Sequence, residues 1–309
     1  MRILFWGTPP FALPALQAVL GEGHEVVGVV TQPDRPAGRG HALTAPPVKR
    51  LAGEEGLLVL QPERARGAEF LSTLRALEPD ISVVVAFGQI LRRDVIDLPP
   101  LGTINVHASL LPELRGAAPI QWSIMRGHAR TGVTIMRIVE PLDAGPMLYQ
   151  VEEPIGPEET ARDLAVRLAE IGAEALVETL ALLEAEATQE APQDDARATY
   201  APRLTRDDAH VDFSCSALEV DRWIRGLDDL PGAWASLGTE DVKLFRPRPL
   251  DDYVHQAEPG TVLAVHPDDP TTGFLVACGT GAATWIVPAV AIAAAVSSMN
   301  SDIWKARMV

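Results

Sequence analysis

The stretch from residue 102 to residue 145 holds the side chains best suited to transfer chemistry. Asn105 and His107 are two residues apart in an apolar run, and Asp143 follows in a loop rich in turn-forming residues. In a β-strand, residues two apart project from the same face. An amide can donate a hydrogen bond to a developing oxyanion, an imidazole can handle protons or stabilise charge, and a carboxylate can orient the imidazole or take up a proton through water. Each residue alone is more often structural, but the combination indicates transfer to or from a carbonyl, with Asn105, His107 and Asp143 as candidate catalytic residues.

The elements that position these residues follow from hydrophobic patterning. Residues 2–6 and 25–30 read as buried strands, with a helix predicted over 11–20 between them. Residues 81–86 are almost wholly apolar, as in a central parallel strand, and spaced leucines over 158–187 predict a long amphipathic helix. The first half is therefore predicted to be α/β, with a Rossmann-like, mostly parallel sheet and helices on both faces. The first turn lacks the Gly-x-Gly-x-x-Gly pattern, so a dinucleotide site is not supported.

The second half of the chain has a different composition. Residues 188–208 are rich in Gln, Asp, Pro, Ala and Thr, as in a linker. Beyond them, short strands at regular intervals suggest a small β-barrel. The predicted organisation is a first domain over 1–187, a linker over 188–208 and a second domain over 209–309.

Composition limits the possible classes of protein. The 309 residues are 47% hydrophobic and 22% charged, as in an ordinary globular protein. The formal net charge of -16 argues against a generic nucleic-acid binder but leaves room for a local basic patch. The two cysteines, Cys215 and Cys278, are far apart and have no ligand-spaced partners, so neither a zinc site nor a disulfide framework is expected. The apolar runs are too short for a signal peptide or a membrane span, so we expect a cytoplasmic protein.

Two stretches of the sequence carry a family resemblance. The first is Asn105-Val106-His107-Ala108-Ser109-Leu110-Leu111-Pro112, continued by Leu142-Asp143-Ala144-Gly145. The second is Phe5-Trp6-Gly7-Thr8-Pro9, continued by the Pro- and Gly-rich residues 31–40. Together they resemble the folate-dependent formyltransferases, and the second stretch narrows the resemblance to the branch that acts on tRNA. The likeness extends to about residue 260.

The resemblance implies a reaction and its participants. The formyl group of 10-formyltetrahydrofolate, a co-substrate, would be transferred to the α-amine of initiator methionyl-tRNA for translation initiation, by a monomer and without a metal. Asn105 would donate a hydrogen bond to the formyl oxygen, His107 would lie beside it, and Asp143 would accept the amine proton through water. The implied folate-binding residues lie in two segments: Phe87, Gly88, Gln89, Ile90 and Leu91, and Ser109, Leu110, Leu111 and Pro112.

The resemblance also implies where tRNA binds. Residues 31–47 form a long Pro- and Gly-rich loop with no apolar period, and in the family such a loop reaches the acceptor end of the tRNA. The second domain is expected to be an OB-like barrel that helps to hold the tRNA. The candidate tRNA-binding residues are Arg35, Arg39, Lys49, Lys243 and Arg246. The sequence after residue 281 departs from the family pattern, so it does not predict how the barrel closes.

Three alternatives remain open at this point. A related enzyme that formylates a small-molecule amine would use the same three residues, although the 31–40 loop speaks against it. A formylfolate hydrolase would pass the formyl group to water. A catalytically silent RNA-binding module would keep the fold without the reaction.

Overall fold

A computed structural model describes residues 1–37, 42–238, 240–265 and 273–286. Among these residues, no helix is both long enough and apolar enough to cross a membrane. By contacts the chain divides into two compact units. The first comprises Met1–Pro119, Arg130–Pro154 and Ala165–Ala201, and the second comprises Ile120–Ala129, Ile155–Leu164 and Pro202–Val309.

The strands and helices have the following bounds. The strands are β1 (Arg2–Gly7), β2 (Glu25–Val30), β3 (Arg35–Ala37), β4 (Ala42–Thr44), β5 (Val59–Leu60), β6 (Ile81–Val85), β7 (Thr103–His107), β8 (Arg115–Gly116), β9 (Arg130–Arg137), β10 (Met147–Pro154), β11 (Tyr200–Ala201), β12 (Trp234–Leu237), β13 (Glu240–Lys243), β14 (Phe245–Leu250), β15 (Val262–Val265), β16 (Phe274–Ala277) and β17 (Ala282–Ile286). The α-helices are α1 (Leu13–Gly21), α2 (Pro47–Glu54), α3 (Ala68–Ala76), α4 (Arg93–Ile96), α5 (Pro119–Met125), α6 (Ala161–Glu184) and α7 (Ala217–Gly226).

The first unit is built on one sheet. In the described part of the chain it has seven strands, in the order β10-β9-β7-β6-β1-β2-β5. The five strands β7, β6, β1, β2 and β5 are mutually parallel, whereas β9 runs antiparallel to β7, and β10 runs antiparallel to β9. The chain goes from β1 to β2 on one side and returns to β6 on the other, so the topological switch point lies between β1 and β6. This confirms the predicted Rossmann-like, mostly parallel sheet.

Helices cover both faces of this sheet. On one face, Leu4, Trp6 and Val84 share an apolar cluster with residues of α3 and α4, among them Leu74 and Val95. The opposite face packs against α6, where a Cβ added to Gly172 would come within 2.9 Å of Val106 and 3.6 Å of Val133. Asn105 pairs in register with Val84 and therefore projects from the α3 and α4 side, whereas Val106 projects towards α6.

The predicted elements differ from the observed ones mainly at their ends. The long helix expected over 158–187 is α6, Ala161–Glu184. The loop predicted over 31–47 contains the antiparallel pair β3 and β4, in which Arg35 pairs with Thr44. Each of these strands has three residues, too few to give a recognisable alternation in the sequence. Arg39 lies outside the described residues.

For the second half the sequence predicted a small OB-like β-barrel, and the second unit contains a small domain of antiparallel strands. Within the described residues, β14, β17, β16 and β15 form an antiparallel sheet in that order, and β12 pairs with β13. Helix α7 buries Val220 and Ile224 in the same apolar core as Phe274 and Val276. The last described strand, β17 (Ala282–Ile286), pairs with both β14 and β16. The sequence after residue 286 lies outside the described residues. The domain bounds 1–187, 188–208 and 209–309 remain predictions.

Candidate active site

A strand and a loop bring polar side chains to one edge of the sheet. Asn105 and His107 lie on β7, and His107 is its last residue. The loop between β9 and β10 carries Asp143. One oxygen of Asp143, Oδ2, lies 3.8 Å from Nδ1 of His107. The structure thus brings the imidazole and the carboxylate together, next to the strand that carries Asn105.

The contacts of His107 fix the orientation of its ring. Its Nε2 lies 3.1 Å from the backbone oxygen of Leu114. Because a carbonyl oxygen only accepts, Nε2 must be the donor in this contact. Nδ1 is then the nitrogen that faces Asp143. The side chain of His107 is 6% exposed and that of Asp143 is 12% exposed, so both are largely shielded from solvent.

Asp143 is held by its own backbone geometry and by a neighbouring amide. Its φ angle is 51°, in the left-handed region that is uncommon for residues other than glycine. Its Oδ2 accepts a hydrogen bond of 2.8 Å from the backbone N–H of Gly116. The same oxygen therefore faces both the Gly116 amide and the His107 ring, which directs the charge of the carboxylate towards the imidazole.

Asn105 is half-buried, between strands β6 and β9. It pairs in register with Val84 on one side and with Met136 on the other. No hydrogen-bond partner is found for its side-chain amide among the described residues. The NH₂ group can therefore donate to a bound substrate at the same strand end as His107.

The first predicted folate segment leaves β6 at the topological switch point, where open α/β sheets bind their ligands. Phe87 is buried, with its ring 5.2 Å from that of Trp6, and its carbonyl oxygen accepts from Thr8 Oγ1 at 2.9 Å. Gly88 has a φ of 88° and open space where a Cβ would stand. Ile90 is 81% exposed, whereas Leu91 is buried.

Gln89 stabilises this segment through its amide. Its Oε1 accepts from the backbone N–H of Ala65 at 3.0 Å. Its Nε2 donates to Oε1 of Gln32 at 3.3 Å, and Gln32 in turn donates to the carbonyl of Phe87 at 3.1 Å. These bonds tie the segment that follows β6 to the segments that follow β2 and β5.

The second predicted folate segment, residues 109–112, is held by Thr134. Thr134 Oγ1 donates to the carbonyl of Ser109 at 2.7 Å and accepts from the backbone N–H of Leu111 at 3.2 Å. Leu110 is half-buried and Pro112 is buried. The hydroxyl of Ser109 is itself bonded to the carbonyl of Glu113 at 2.6 Å.

The predicted tRNA-binding residues are divided between the two units. In the first unit Arg35 is exposed on β3, and Lys49 on α2 forms hydrogen bonds of 2.8 Å to both oxygens of Asp34. In the second unit Lys243 on β13 and Arg246 on β14 are both exposed. Hydrogen bonds from Gln61 and Lys49 hold the pKa of Asp34 below its usual value.

The structure adds residues that the sequence did not single out. Neither Arg115 nor Gln193 was assigned a role from the sequence, and Gln193 lies in the segment predicted to be a linker. Both contribute to the hydrogen bonds around the Asp143 loop. A buried arginine is uncommon, but burial is not visible in the sequence, and a glutamine between Pro and Asp gives no periodic signal. Among the described residues, no group of three or more His, Cys, Asp or Glu side chains could hold a metal ion.

Solved structures define the class of fold. A sugar 3N-formyl transferase, WlaRD, solved in the presence of dTDP and 5-N-formyl-THF, aligns with a TM-score of 0.68 at 16% identity, covering 93% of this chain and 97% of that chain. An N-formyltransferase from Helicobacter canadensis aligns with a TM-score of 0.67 at 15% identity, covering 93% and 100%. The fold is shared with enzymes that transfer formyl groups to nitrogen.

Sequence comparison identifies the family. The family model described as "Formyl transferase" matches residues 1–180, and "Formyl transferase, C-terminal domain" matches residues 203–294. The methionyl-tRNA formyltransferase of Solibacter usitatus is 49% identical over 282 residues, covering 91% of this chain and 88% of the relative. That of Acidobacterium capsulatum is 50% identical over 283 residues, covering 91% and 89%. The chain belongs to the formyl transferase family.

Proposed function

We propose that this protein transfers the formyl group of 10-formyltetrahydrofolate to the α-amine of methionine carried by initiator tRNA. The observation that carries the proposal is the convergence of Asn105, His107 and Asp143 at one strand end of a formyl transferase fold. The relatives that match about nine-tenths of the chain at 45–50% identity are named methionyl-tRNA formyltransferases, which supports methionyl-tRNA as the acceptor.

We propose a role for each group of the site. The amine attacks the formyl carbon, a new C–N bond forms, and negative charge builds on the formyl oxygen before the bond to the folate nitrogen breaks. Asn105 donates a hydrogen bond to that oxygen, with the oriented ring of His107 beside it. Asp143 takes up the amine proton through water, and this proton passes to the folate nitrogen as its bond to the formyl carbon breaks. The separation of 3.8 Å between His107 and Asp143 exceeds a direct hydrogen bond, which agrees with a bridging water or substrate atom.

The residues at the switch point suit a flat heterocycle with polar edges. Gly88 leaves its backbone open to close approach, and Ile90 presents an exposed apolar side chain beside it. Buried Phe87 and the Gln32 and Gln89 bonds keep this segment rigid. The folate supplies the formyl group, and residues 87–91 and 109–112 bind and orient it.

We propose that the protein works in the cytoplasm. Both cysteines are free thiols, which suits the reducing cytoplasm where translation begins. The protein acts as a monomer on its tRNA. The contacts to tRNA phosphates are supplied by Arg35, Arg39, Lys49, Lys243 and Arg246.

The deciding experiment measures formyl transfer from 10-formyltetrahydrofolate to charged initiator tRNA, charged elongator tRNA and a small amine. We expect rapid formylation of initiator methionyl-tRNA and little of the other two. Formate released without any acceptor is measured in parallel. Preferential formylation of the small amine, or formate release at the same rate with and without tRNA, would overturn the proposal.

A further inference from the structure

Gln193 connects the Asp143 loop to a buried arginine. Its Nε2 donates to the backbone oxygens of Asp143 and Gly145, each at 2.8 Å. Its Oε1 accepts from Nε and Nη2 of Arg115 at 3.0 and 2.7 Å. All four residues belong to the first compact unit. One side chain thus bridges the loop that carries Asp143 and the short strand β8, which contains Arg115 and Gly116.

The chemistry of these neighbours allows the Gln193 amide only one orientation. A guanidinium group only donates and a backbone carbonyl only accepts, so Oε1 must face Arg115 and the NH₂ group must face the loop. Arg115 is itself fixed, because its side chain is 4% exposed and its Nη2 lies 2.8 Å from Asp195. A rotated amide would set its NH₂ against the guanidinium and its oxygen against two carbonyls.

The Asp143 loop needs external support. A non-glycine residue with a φ of 51° is held in such a conformation only when the surrounding structure favours it. Gly116 binds the carboxylate of Asp143 from one side. Gln193 binds the backbone of the loop on both sides of Ala144. The two contacts together set the direction of the carboxylate towards His107.

We infer that Gln193 is a positioning residue: it holds the loop so that the Asp143 carboxylate stays beside His107, and it acts on formyl transfer only through Asp143. This rests on the proposed function for the role of Asp143. The inference also assigns a positioning role to a residue of segment 188–208, which the sequence predicted to be only a linker. The segment continues to Thr199, whose carbonyl accepts from the Arg115 N–H at 2.9 Å.

The test compares Gln193→Ala with Gln189→Ala, a matched change at an exposed glutamine of the same segment. We expect Gln193→Ala to lower kcat by about tenfold, because the Asp143 carboxylate is then no longer held beside His107. The KM values for folate and tRNA should stay near those of the wild type, because no substrate contact is removed. Gln193→Glu keeps the acceptor for Arg115 and loses the donor, so it should fold and show a similar loss of kcat.

A double-mutant cycle with Asp143→Asn separates positioning from general stability. If Gln193 acts through Asp143, Gln193→Ala should cost little further activity once the Asp143 charge is gone. An equal fold-loss in both backgrounds, or an unchanged kcat in Gln193→Ala and Gln193→Glu, would overturn the inference.

A second measurement does not depend on the reaction. Amide hydrogen exchange of the peptide spanning residues 140–147 should be faster in Gln193→Ala than in Gln189→Ala. Equal exchange would refute the support of the loop by Gln193. If the wild type failed to formylate methionyl-tRNA, the proposed function would fall, and the exchange result would still decide whether Gln193 holds the loop.

Discussion

At the scale of single residues, two of the three candidate catalytic side chains, those of His107 and Asp143, already form hydrogen bonds within the protein. The Leu114 carbonyl accepts a hydrogen bond from Nε2 of His107, and the Gly116 backbone N–H donates one to Oδ2 of Asp143. Of the three candidate catalytic residues, Asn105 is the one whose side chain has no hydrogen-bond partner among the described residues. Its role is therefore the one most directly exposed to test.

Asn105→Ala should lower kcat by about a hundredfold or more, because an oxyanion donor is lost in a water-poor site. Initial rates at varied folate and tRNA concentrations would measure this, with both KM values expected to change little. Asn105→Asp preserves size but has no N–H to donate, so it should be at least as slow. Near-native turnover in either variant would remove Asn105 from the proposed mechanism.

At the scale of elements, a capping box at Ser216 fixes where helix α7 of the second unit begins. Ser216 Oγ accepts from the backbone N–H of Glu219 at 3.3 Å, and Glu219 Oε2 accepts from the backbone N–H of Ser216 at 2.9 Å. The box satisfies two amide groups that the first turn would otherwise leave without partners. The same helix buries Val220 and Ile224 in the core of this unit.

Ser216→Ala should lower the free energy of unfolding by about 1 kcal/mol, as expected for the loss of an N-cap. Urea denaturation followed by circular dichroism would measure it, at constant transition slope. Ser72→Ala, a change at an exposed serine on α3, serves as the control and should be close to neutral. A Ser216→Ala protein as stable as this control would contradict the cap.

The cap also predicts a pH dependence. Hydrogen bonds from the side chain and backbone of Ser216 hold the pKa of the Glu219 carboxyl below its ordinary value. A lowered folded-state pKa contributes stability above the unfolded pKa, and this contribution is lost as the pH falls through the folded pKa. The difference in stability between the wild type and Ser216→Ala should therefore shrink in acid. A difference that stays constant down to pH 3 would contradict this account.

At the scale of the whole molecule, an acidic chain must bind a polyanion. Lys and Arg number 26 against 42 Asp and Glu, giving a net charge of -16. Attraction to tRNA then depends on a few placed cations. In the first unit Lys49 is already paired with Asp34, whereas Lys243 in the second unit is exposed.

Binding of initiator tRNA should therefore weaken steeply with salt. Each phosphate contact contributes about 0.7–0.9 to the slope of log K against log salt concentration. Lys243→Met should lower that slope by about one contact's worth, whereas Arg75→Met, a loss of the same charge at an exposed position on α3, should leave it nearly unchanged. Fluorescence titration at several salt concentrations would measure both. Identical slopes for the two variants would remove Lys243 from the tRNA contacts.

The sequence by itself determined the sheet, the family resemblance and the three candidate catalytic residues. The burial of apolar runs such as Ile81–Val85 follows from their composition. The alternation of side chains along a strand puts Asn105 and His107 on the same face, whatever the position of that strand in the sheet. These are local properties, so they can be read from neighbouring residues. The antiparallel pair β3 and β4 was not predicted, because three residues per strand are too few to show a period.

The tertiary structure alone decided what surrounds those residues. The partners of Asp143 are Gly116, 27 residues away, and Gln193, 50 residues away. The bond from Gln193 depends on a segment whose composition resembles a linker. Hydrogen bonds between such distant positions leave no periodic trace in the chain, because they form only after the sheet has brought the loops to the same edge.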